Sequence, residues 1–233
     1  MAPLRIYIGW DSREDIAYQV ARQSLIRHSS IPVEVIPIKI NELVDRGLYT
    51  RGIDPLASTE FTYSRFLTPS LAGFDGWAIF CDCDMLFFGD VKDLLQYQDP
   101  KYAVCCVKHD YSPKGSVKMD GKIQTNYPRK NWSSVMMFNC AHPSVKKLTA
   151  ATVNLETGAY LHRMEWANDS EIGAIPTTWN WLEGWNEPPS EGYPACVHYT
   201  RGGPWFDNWQ DVAYATEWHH EAREYKAMTE GSA

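Results

Sequence analysis

The chain of 233 residues is long enough for one or two compact domains, and its 44% hydrophobic and 13% aromatic content is that of a folded globular protein. The net charge of −7 excludes nucleic acid as a general partner and argues against adhesion to an anionic membrane. No apolar run reaches the length of a transmembrane segment, and the opening MAPLRIYIGW is typical of a strand rather than a signal peptide.

The predicted elements alternate between strands and helices. Short apolar runs predict strands at 4–8, 33–40, 78–81, 102–107 and 134–139. Apolar residues at helical spacing predict helices at 14–28, 61–71, 90–95 and 144–155. Pro37 indicates an irregular or edge position for the second strand, because proline has no N–H to donate. The alternation predicts an α/β fold, a single Rossmann-like domain with a mainly parallel central sheet flanked by helices.

The six cysteines lie mostly in apolar, strand-like segments. Buried reduced thiols are favoured over disulfides in that context, which predicts a cytoplasmic protein.

The segment WAIFCDCDMLFF at 77–88 places Asp82 and Asp84 inside an otherwise apolar run. A buried strand gains nothing from unpaired carboxylates, because burying a charge is costly. In parallel sheets ligands bind beyond the carboxyl ends of strands, where two such carboxylates can converge on Mg²⁺ or Mn²⁺. The alternative is a solvated turn that caps the helix after Gly89, although Asp90 already supplies a capping oxygen.

Two classes of enzyme use an Asp-x-Asp motif in this setting. Haloacid-dehalogenase phosphatases place it on their first strand, with the first aspartate as nucleophile and a threonine following. Here the motif comes at position 82 and is followed by Met85-Leu86, so that fit is poor.

Five segments, in their order and spacing, resemble the motifs of the retaining glycosyltransferase family 8, nucleotide-sugar-dependent enzymes with the GT-A fold. The resemblance runs from about residue 6 to residue 209. The segments are Ile6-Tyr7-Ile8-Gly9-Trp10-Asp11, Phe61-Thr62-Tyr63-Ser64-Arg65-Phe66, Phe80-Cys81-Asp82-Cys83-Asp84-Met85-Leu86, Trp132 to Asn139, and Val197-His198-Tyr199 with Pro204-Trp205.

The resemblance implies metal-dependent transfer of a hexose from a UDP-sugar to a sugar or other hydroxyl acceptor, with retention of configuration. It makes His198 the third metal ligand beside Asp82 and Asp84, and a mixed nitrogen and oxygen set favours Mn²⁺ over Mg²⁺. Gly9 is expected to leave room for uracil. The implied nucleotide-sugar contacts are Gly9, Trp10, Asp11, Tyr63, Arg65, Asp82, Cys83, Asp84, Ser133, Ser134, Arg201, Gly202 and Gly203.

The sequence departs from the family pattern at the diphosphate. Gly203 stands where the family has a lysine before Pro-Trp, so Arg201, Arg65 or a nest of backbone amides at Gly202 and Gly203 must neutralise the phosphates. Of these, we favour Arg201. Trp132 also replaces an asparagine that contacts the donor in the family.

A further segment, 166–172, resembles the acidic stretch of the family. On that register Asp169 is the catalytic carboxylate that bonds donor-sugar hydroxyls together with Arg65. A shift of one residue would place Asn168 or Glu171 there, and a competing interpretation makes Asp169 a helix N-cap.

The acceptor is expected against the C-terminal part of the fold, at Trp181, Trp185, Asn186 and Trp205, because stacked aromatic rings suit a sugar. Within one domain over 1–233, we expect the donor-binding half at 1–110, the acceptor-binding half at 111–210 and a C-terminal helix at 211–233. The segment 209–228 either closes the domain or forms a homo-oligomer contact. A nucleotide-sugar-binding module without catalysis and, less well supported, the phosphatase remain as alternatives.

Overall fold

The computed structural model describes residues 2–52, 54, 57–110 and 128–230. The strands in these ranges are β1 (Leu4–Gly9), β2 (Val33–Ile38), β3 (Trp77–Cys81), β4 (Met85–Phe87), β5 (Val104–Cys106), β6 (Val135–Asn139), β7 (Ile172–Ala174), β8 (Trp181–Leu182) and β9 (Cys196–His198). The α-helices are α1 (Asp15–His28), α2 (Ile40–Asp45), α3 (Thr68–Leu71), α4 (Ala150–Leu155), α5 (Gly158–His162) and α6 (Ala215–Glu230).

A six-stranded sheet of order β2-β1-β3-β6-β5-β7 forms the centre of the fold. Strand β1 runs parallel to both β2 and β3, and β5 runs parallel to β7. Only β6 in this sheet is reversed, being antiparallel to β3 and β5. The predicted mainly parallel α/β sheet is therefore confirmed, and β2, which carries Pro37, lies at its edge.

A second sheet of order β4-β9-β8 stands beside the first. Its strands are only two or three residues long, too short for a period to be recognised in the sequence. The chain passes from the first sheet to the second between β3 and β4, at Asp82 to Asp84. The acidic motif therefore joins the two sheets.

Helix α6 packs against α1 and the second sheet. Its Trp218 and Ala222 belong to an apolar cluster that also contains Val20 of α1. Glu221 of α6 accepts a hydrogen bond on its backbone carbonyl from Gln23, at 3.4 Å. The apolar face of α6 is thus used within this chain, as expected of a helix that closes the domain.

Two predicted helices are divided in the structure. The segment 61–71 forms a 3-10 helix at Ser64–Leu67 and then α3, where Pro69 occupies the first turn, a position that needs no N–H. The segment 144–155 forms a 3-10 helix at Val145–Lys147 and then α4, whose N-cap Thr149 accepts from the amide of Thr152. Each helix restarts because a residue suited to a helix N-terminus lies within the predicted span.

The predicted cap at Asp90 is confirmed, since its side chain accepts from the amide of Lys92. The proposed division after residue 110 coincides with segment 111–127, which lies outside the described residues, as do 231–233.

All six cysteines are free and buried, as predicted. Among the described helices, none combines the length and the hydropathy that crossing a membrane requires.

Candidate active site

The turn between the two sheets brings three potential metal ligands together. The amide of Asp82 donates to the carbonyl of Ser134 at the start of β6, and the amide of Tyr199 donates to the carbonyl of Asp84. His198 lies opposite Met85 in the pairing of β4 with β9. As a result, one ligand atom each from Asp82, Asp84 and His198 lies within 4.8 Å of the others.

Arg65 neutralises the first of these carboxylates. Its Nη1 donates to Asp82 Oδ1 at 2.7 Å and to the Ser133 carbonyl at 2.9 Å. Burial raises the pKa of Asp82, and Arg65, together with a hydrogen bond from the Ser134 side chain, opposes that rise. Arg65 therefore compensates the buried charge of Asp82.

The remaining donor set fits a divalent cation. His198 Nε2 lies 3.2 Å from Asp84 Oδ1 and 3.8 Å from Asp82 Oδ2, while Nδ1 is hydrogen bonded to Asn180 Oδ1 at 2.7 Å. Two carboxylates and an imidazole nitrogen are ligands that Mn²⁺ accepts. Burial raises the pKa of the Cys83 thiol well above its usual range, so Cys83 stays neutral between the two aspartates. Asp82, Asp84 and His198 are therefore the residues that would hold the ion.

This cluster lies in the wall of a cavity of about 930 Å³. That volume is at the upper end of the range for small-molecule sites and exceeds what a sugar alone needs. The predicted site residues that line it are Tyr63, Arg65, Asp82, Cys83, Asp84, Ser133, Ser134, His198, Arg201, Gly202 and Trp205.

The residues predicted to receive the base are used otherwise. A β-carbon at Gly9 would overlap the Phe61 ring, so the lack of a side chain at Gly9 makes room for that ring. The carboxylate of Asp11 is fully buried and accepts from the backbone and side chain of Arg13. Burial alone would raise the pKa of Asp11, but these hydrogen bonds lower it below its usual value. The cavity is lined instead by Arg13 and the next residue, Glu14.

Trp10, the third residue of that group, is not among the residues that line the cavity. Its Nε1 donates to Asp15 Oδ1 at 2.8 Å, and the Lys39 ammonium lies 5.1 Å from its ring centroid. The ring therefore packs near the start of α1.

Asp169 is not brought to the cavity. Its side chain is 87% exposed and pairs with Arg129 Nη2 at 2.5 Å. The N-cap of this short 3-10 helix is Asn168, whose amide donates to Glu171 Oε2 in a capping box. The predicted catalytic carboxylate and both register alternatives thus have local structural partners, in a surface turn that directly precedes β7.

Most of the predicted acceptor residues also lie outside the cavity wall. Trp181 is buried, donates to the Glu187 carbonyl and packs edge-on against Tyr214. Asn186 Oδ1 accepts from the Leu182 amide at 2.7 Å. Of the four candidates only Trp205 lines the cavity. Trp181 and Asn186 instead have structural partners in this fold, because aromatic and amide side chains serve cores and turns as readily as sugar sites.

Arg201 is held in a fixed position at the cavity wall. Its guanidinium pairs with Glu183 at 3.2 Å and lies over the rings of Trp209 and Trp185, at 5.5 and 6.0 Å from their centroids. Gly184 has a φ of +70°, and a β-carbon there would overlap the guanidinium. Trp185 therefore supports Arg201 instead of lining the cavity.

Of the two glycines predicted to bind the diphosphate, Gly202 lines the cavity and Gly203 does not. Gly202 lines the cavity with a φ of +139°, a backbone conformation that favours glycine. Gly203 instead packs against Trp205, because a β-carbon at position 203 would overlap the Trp205 ring.

A serine and a histidine that sequence reasoning did not connect meet in the cavity. Ser133 Oγ lies within hydrogen-bond distance of His162 Nδ1, at 2.8 Å. Burial lowers the pKa of His162 to about 3, so the ring is neutral. Since the Ser134 side chain donates to Asp82, both serine oxygens have lone pairs left for a ligand. His162 is the last residue of α5, and no sequence pattern marks it.

Glu14 is a second cavity residue that the sequence did not single out. Burial raises its pKa to about 8, with further contributions from Asp84 and Asp11, so the carboxyl group holds a proton at neutral pH. Glu14 occupies the N-cap of α1 but its side chain makes no cap hydrogen bond. The sequence does contain one signal for Glu14: a glutamate stands at a helix N-cap, where serine or aspartate is preferred.

Solved glycosyltransferases share this fold. The chain aligns with the WbbM bifunctional glycosyltransferase (TM-score 0.65, 16% identity, 95% of this chain and 50% of that chain). It also aligns with GlyE of Streptococcus pneumoniae TIGR4 (TM-score 0.64, 14% identity, 95% of this chain and 60% of that chain). A third match is the galactosyltransferase LgtC in complex with donor and acceptor sugar analogues (TM-score 0.55, 12% identity, 95% and 96%). The chain spans about half the length of WbbM and three-fifths of GlyE.

These similarities and the site geometry define the class: the chain has the GT-A glycosyltransferase fold and resembles family 8, as predicted. The chain belongs to the family of Protein CDI of Arabidopsis thaliana, with which it is 54% identical over 226 residues, 96% of this chain and 87% of that protein. No protein-family model matches the sequence.

Proposed function

We propose that this protein is a metal-dependent glycosyltransferase that moves a hexose from a UDP-sugar to a sugar or other hydroxyl acceptor, with retention of configuration. One observation carries the proposal: Asp82, Asp84 and His198 converge in the wall of a large cavity within a GT-A fold. The choice of UDP, hexose and retention rests on the sequence resemblance to family 8. The free buried cysteines support a reducing compartment such as the cytoplasm.

Asp82, Asp84 and His198 would hold the cation, with Mn²⁺ favoured because the set includes a nitrogen ligand. The bound cation supplies positive charge that stabilises the leaving diphosphate more strongly as its negative charge develops. Arg201, held over Trp209, is the protein cation proposed to share that task. Arg65 is already engaged by Asp82 and acts on the ligand through that carboxylate.

The donor sugar is proposed to lie against Ser133 and Ser134. Each serine hydroxyl has one partner in the protein, His162 for Ser133 and Asp82 for Ser134, and each oxygen keeps a lone pair that can accept a hydrogen bond from a sugar hydroxyl. The acceptor is proposed to lie at the other wall, against Trp205 and Trp209. In this proposal the two serines take the sugar-binding role first predicted for Asp169, which is exposed and paired with Arg129.

A thermal-shift screen of nucleotide sugars, with Mn²⁺ or with chelator, tests the proposal. We expect UDP-sugars to raise the melting temperature only with the cation. Mass-detected transfer to an acceptor library then separates a transferase from a binding module, which would bind the donor and transfer nothing. Asp84→Asn is the matched control, because it removes one ligand charge with little change in volume.

A further inference from the structure

Asn180 is fully buried at the end of the 3-10 helix Thr177–Asn180, and its carboxamide links two parts of the site. Nδ2 donates to the carbonyl of Asn131 at 3.1 Å. Oδ1 lies 2.7 Å from Nδ1 of His198. Both ends of the amide therefore have defined partners.

The contact with Asn131 fixes which way the amide points. A carbonyl oxygen can only accept, so the nitrogen of Asn180 must face the Asn131 carbonyl and the oxygen must face His198. Asn131 has a φ of 63°, and its carbonyl also accepts from the Ser134 amide at 3.4 Å. The turn thus holds that carbonyl in place.

The orientation of the amide decides the tautomer of His198. Since Oδ1 is an acceptor, Nδ1 must carry a proton to make the 2.7 Å contact. A neutral ring then has its lone pair on Nε2, which is the nitrogen 3.2 Å from Asp84 Oδ1. The opposite tautomer would set two acceptors against each other at Asn180 and place a proton where the cation belongs.

We propose that Asn180 is a positioning residue that holds His198 in the Nδ1–H tautomer, so that Nε2 is directed at a divalent cation. Histidine ligands of metals commonly donate their second N–H to such a partner, and losing it typically lowers metal affinity about 10- to 100-fold. The inference rests on the proposed function only in taking the ligand to be a divalent cation.

The experiment measures two quantities on the intact protein: the ¹⁵N tautomer signature of His198 in chelator, and Mn²⁺ affinity without nucleotide, read from the EPR signal of the free ion. The NMR spectrum is taken at a pH where the ring is neutral. Asn180→Leu removes the acceptor that faces His198 Nδ1, whereas Asn180→Asp keeps that acceptor and loses only the donor to the Asn131 carbonyl. Asn154→Leu is the control, because Asn154 also makes several backbone hydrogen bonds but lies elsewhere, against Leu48 and Thr50.

We expect the proton on Nδ1 in the wild type and a mixture of tautomers in Asn180→Leu. We also expect Mn²⁺ affinity to fall by about 10- to 100-fold in Asn180→Leu but to stay within a few-fold of wild type in Asn180→Asp and Asn154→Leu. Unchanged affinity in a folded Asn180→Leu would overturn the assignment. If that variant does not fold, a wild-type ring protonated on Nε2 would overturn it alone.

The two proposals fail in different ways. A wild-type protein that binds no Mn²⁺ removes the proposed function. A wild-type protein that binds Mn²⁺ with His198 protonated on Nε2 in chelator removes only the role of Asn180.

Discussion

Arg65 and Asp82 form a buried ion pair, with Nη1 and Oδ1 2.7 Å apart and side chains that are 6% and 11% exposed. The pair explains how a carboxylate is kept beside an apolar strand. It also leaves Asp84 and His198 Nε2 facing each other at 3.2 Å, where a cation fits. Within the Asp-x-Asp motif, the charge of Asp82 is therefore compensated by a protein side chain, that of Arg65.

The first prediction concerns that pair. Arg65→Met leaves Asp82 buried without its partner, and we expect the free energy of unfolding to fall by about 3–5 kcal/mol in urea titrations. The double variant Arg65→Met/Asp82→Asn should recover much of the loss, because neither of these two positions then carries a charge. Arg223→Met, on the exposed face of α6, should change stability by no more than about 0.5 kcal/mol. A double variant as unstable as the single one would show that packing, not charge, is responsible.

The second prediction concerns Asp169. Its carboxylate is exposed and bonded to Arg129, so Asp169→Asn should leave turnover within about twofold and reduce stability by at most about 1 kcal/mol. Steady-state transfer assays check this, with Asp84→Asn run in parallel as the inactive reference. A fall in turnover of about 100-fold with UDP affinity kept would restore Asp169 to the active site.

The third prediction concerns the donor sugar. Ser133→Ala removes one neutral hydrogen-bond acceptor, which is worth about 1 kcal/mol, so UDP-sugar affinity should fall about fivefold. Affinity for UDP itself should be unchanged, because the sugar alone contacts Ser133 in this account. Competition binding measures both, and Ser70→Ala on α3 serves as the control outside the cavity wall. An equal fall for UDP and UDP-sugar would place the nucleotide, not the sugar, at Ser133.

The fourth prediction concerns pH. Burial lowers the pKa of His162 to about 3 from a usual 6.5, so between these values the unfolded chain binds a proton that the folded protein does not. The stability held above pH 6.5 is therefore lost as the pH falls towards 3, with a slope of up to about 1.4 kcal/mol per pH unit from this residue. His162→Gln keeps a donor and an acceptor but does not titrate, so its stability should decline less steeply over that window. His109, whose pKa burial lowers to about 4, should leave a residual slope.

Denaturant unfolding at a series of pH values measures these slopes. Identical slopes for the wild type and His162→Gln would contradict the assignment of a neutral buried ring.

Much of the fold could be predicted because apolar runs and helical spacing are local signals, as in β1, β3 and α1. Asp82 and Asp84 stood out because two charges in an apolar run are costly unless they have a use. His198 is different: it was assigned through its flanking motif, and the structure brings it to the aspartates by pairing β9 with β4.

The rest depended on contacts between distant parts of the chain. Gly9 packs against Phe61, and Ser133 contacts His162. The two residues of each pair are far apart in sequence, and no local pattern marks either pair. The surface position of Asp169 could not be predicted, because an exposed turn aspartate and a sugar-binding aspartate have the same local sequence. Only the path of the chain into β7 separates them.

The measurement that tests the central claim most directly is calorimetric titration of UDP into the protein with Mn²⁺ or with excess chelator. Binding should require the cation in the wild type and should be lost in Asp84→Asn, while thermal unfolding of that variant stays cooperative. Because Asp84, Asp82 and His198 would hold the cation that meets the diphosphate, UDP binding of equal strength in chelator, or undiminished in Asp84→Asn, would contradict the account.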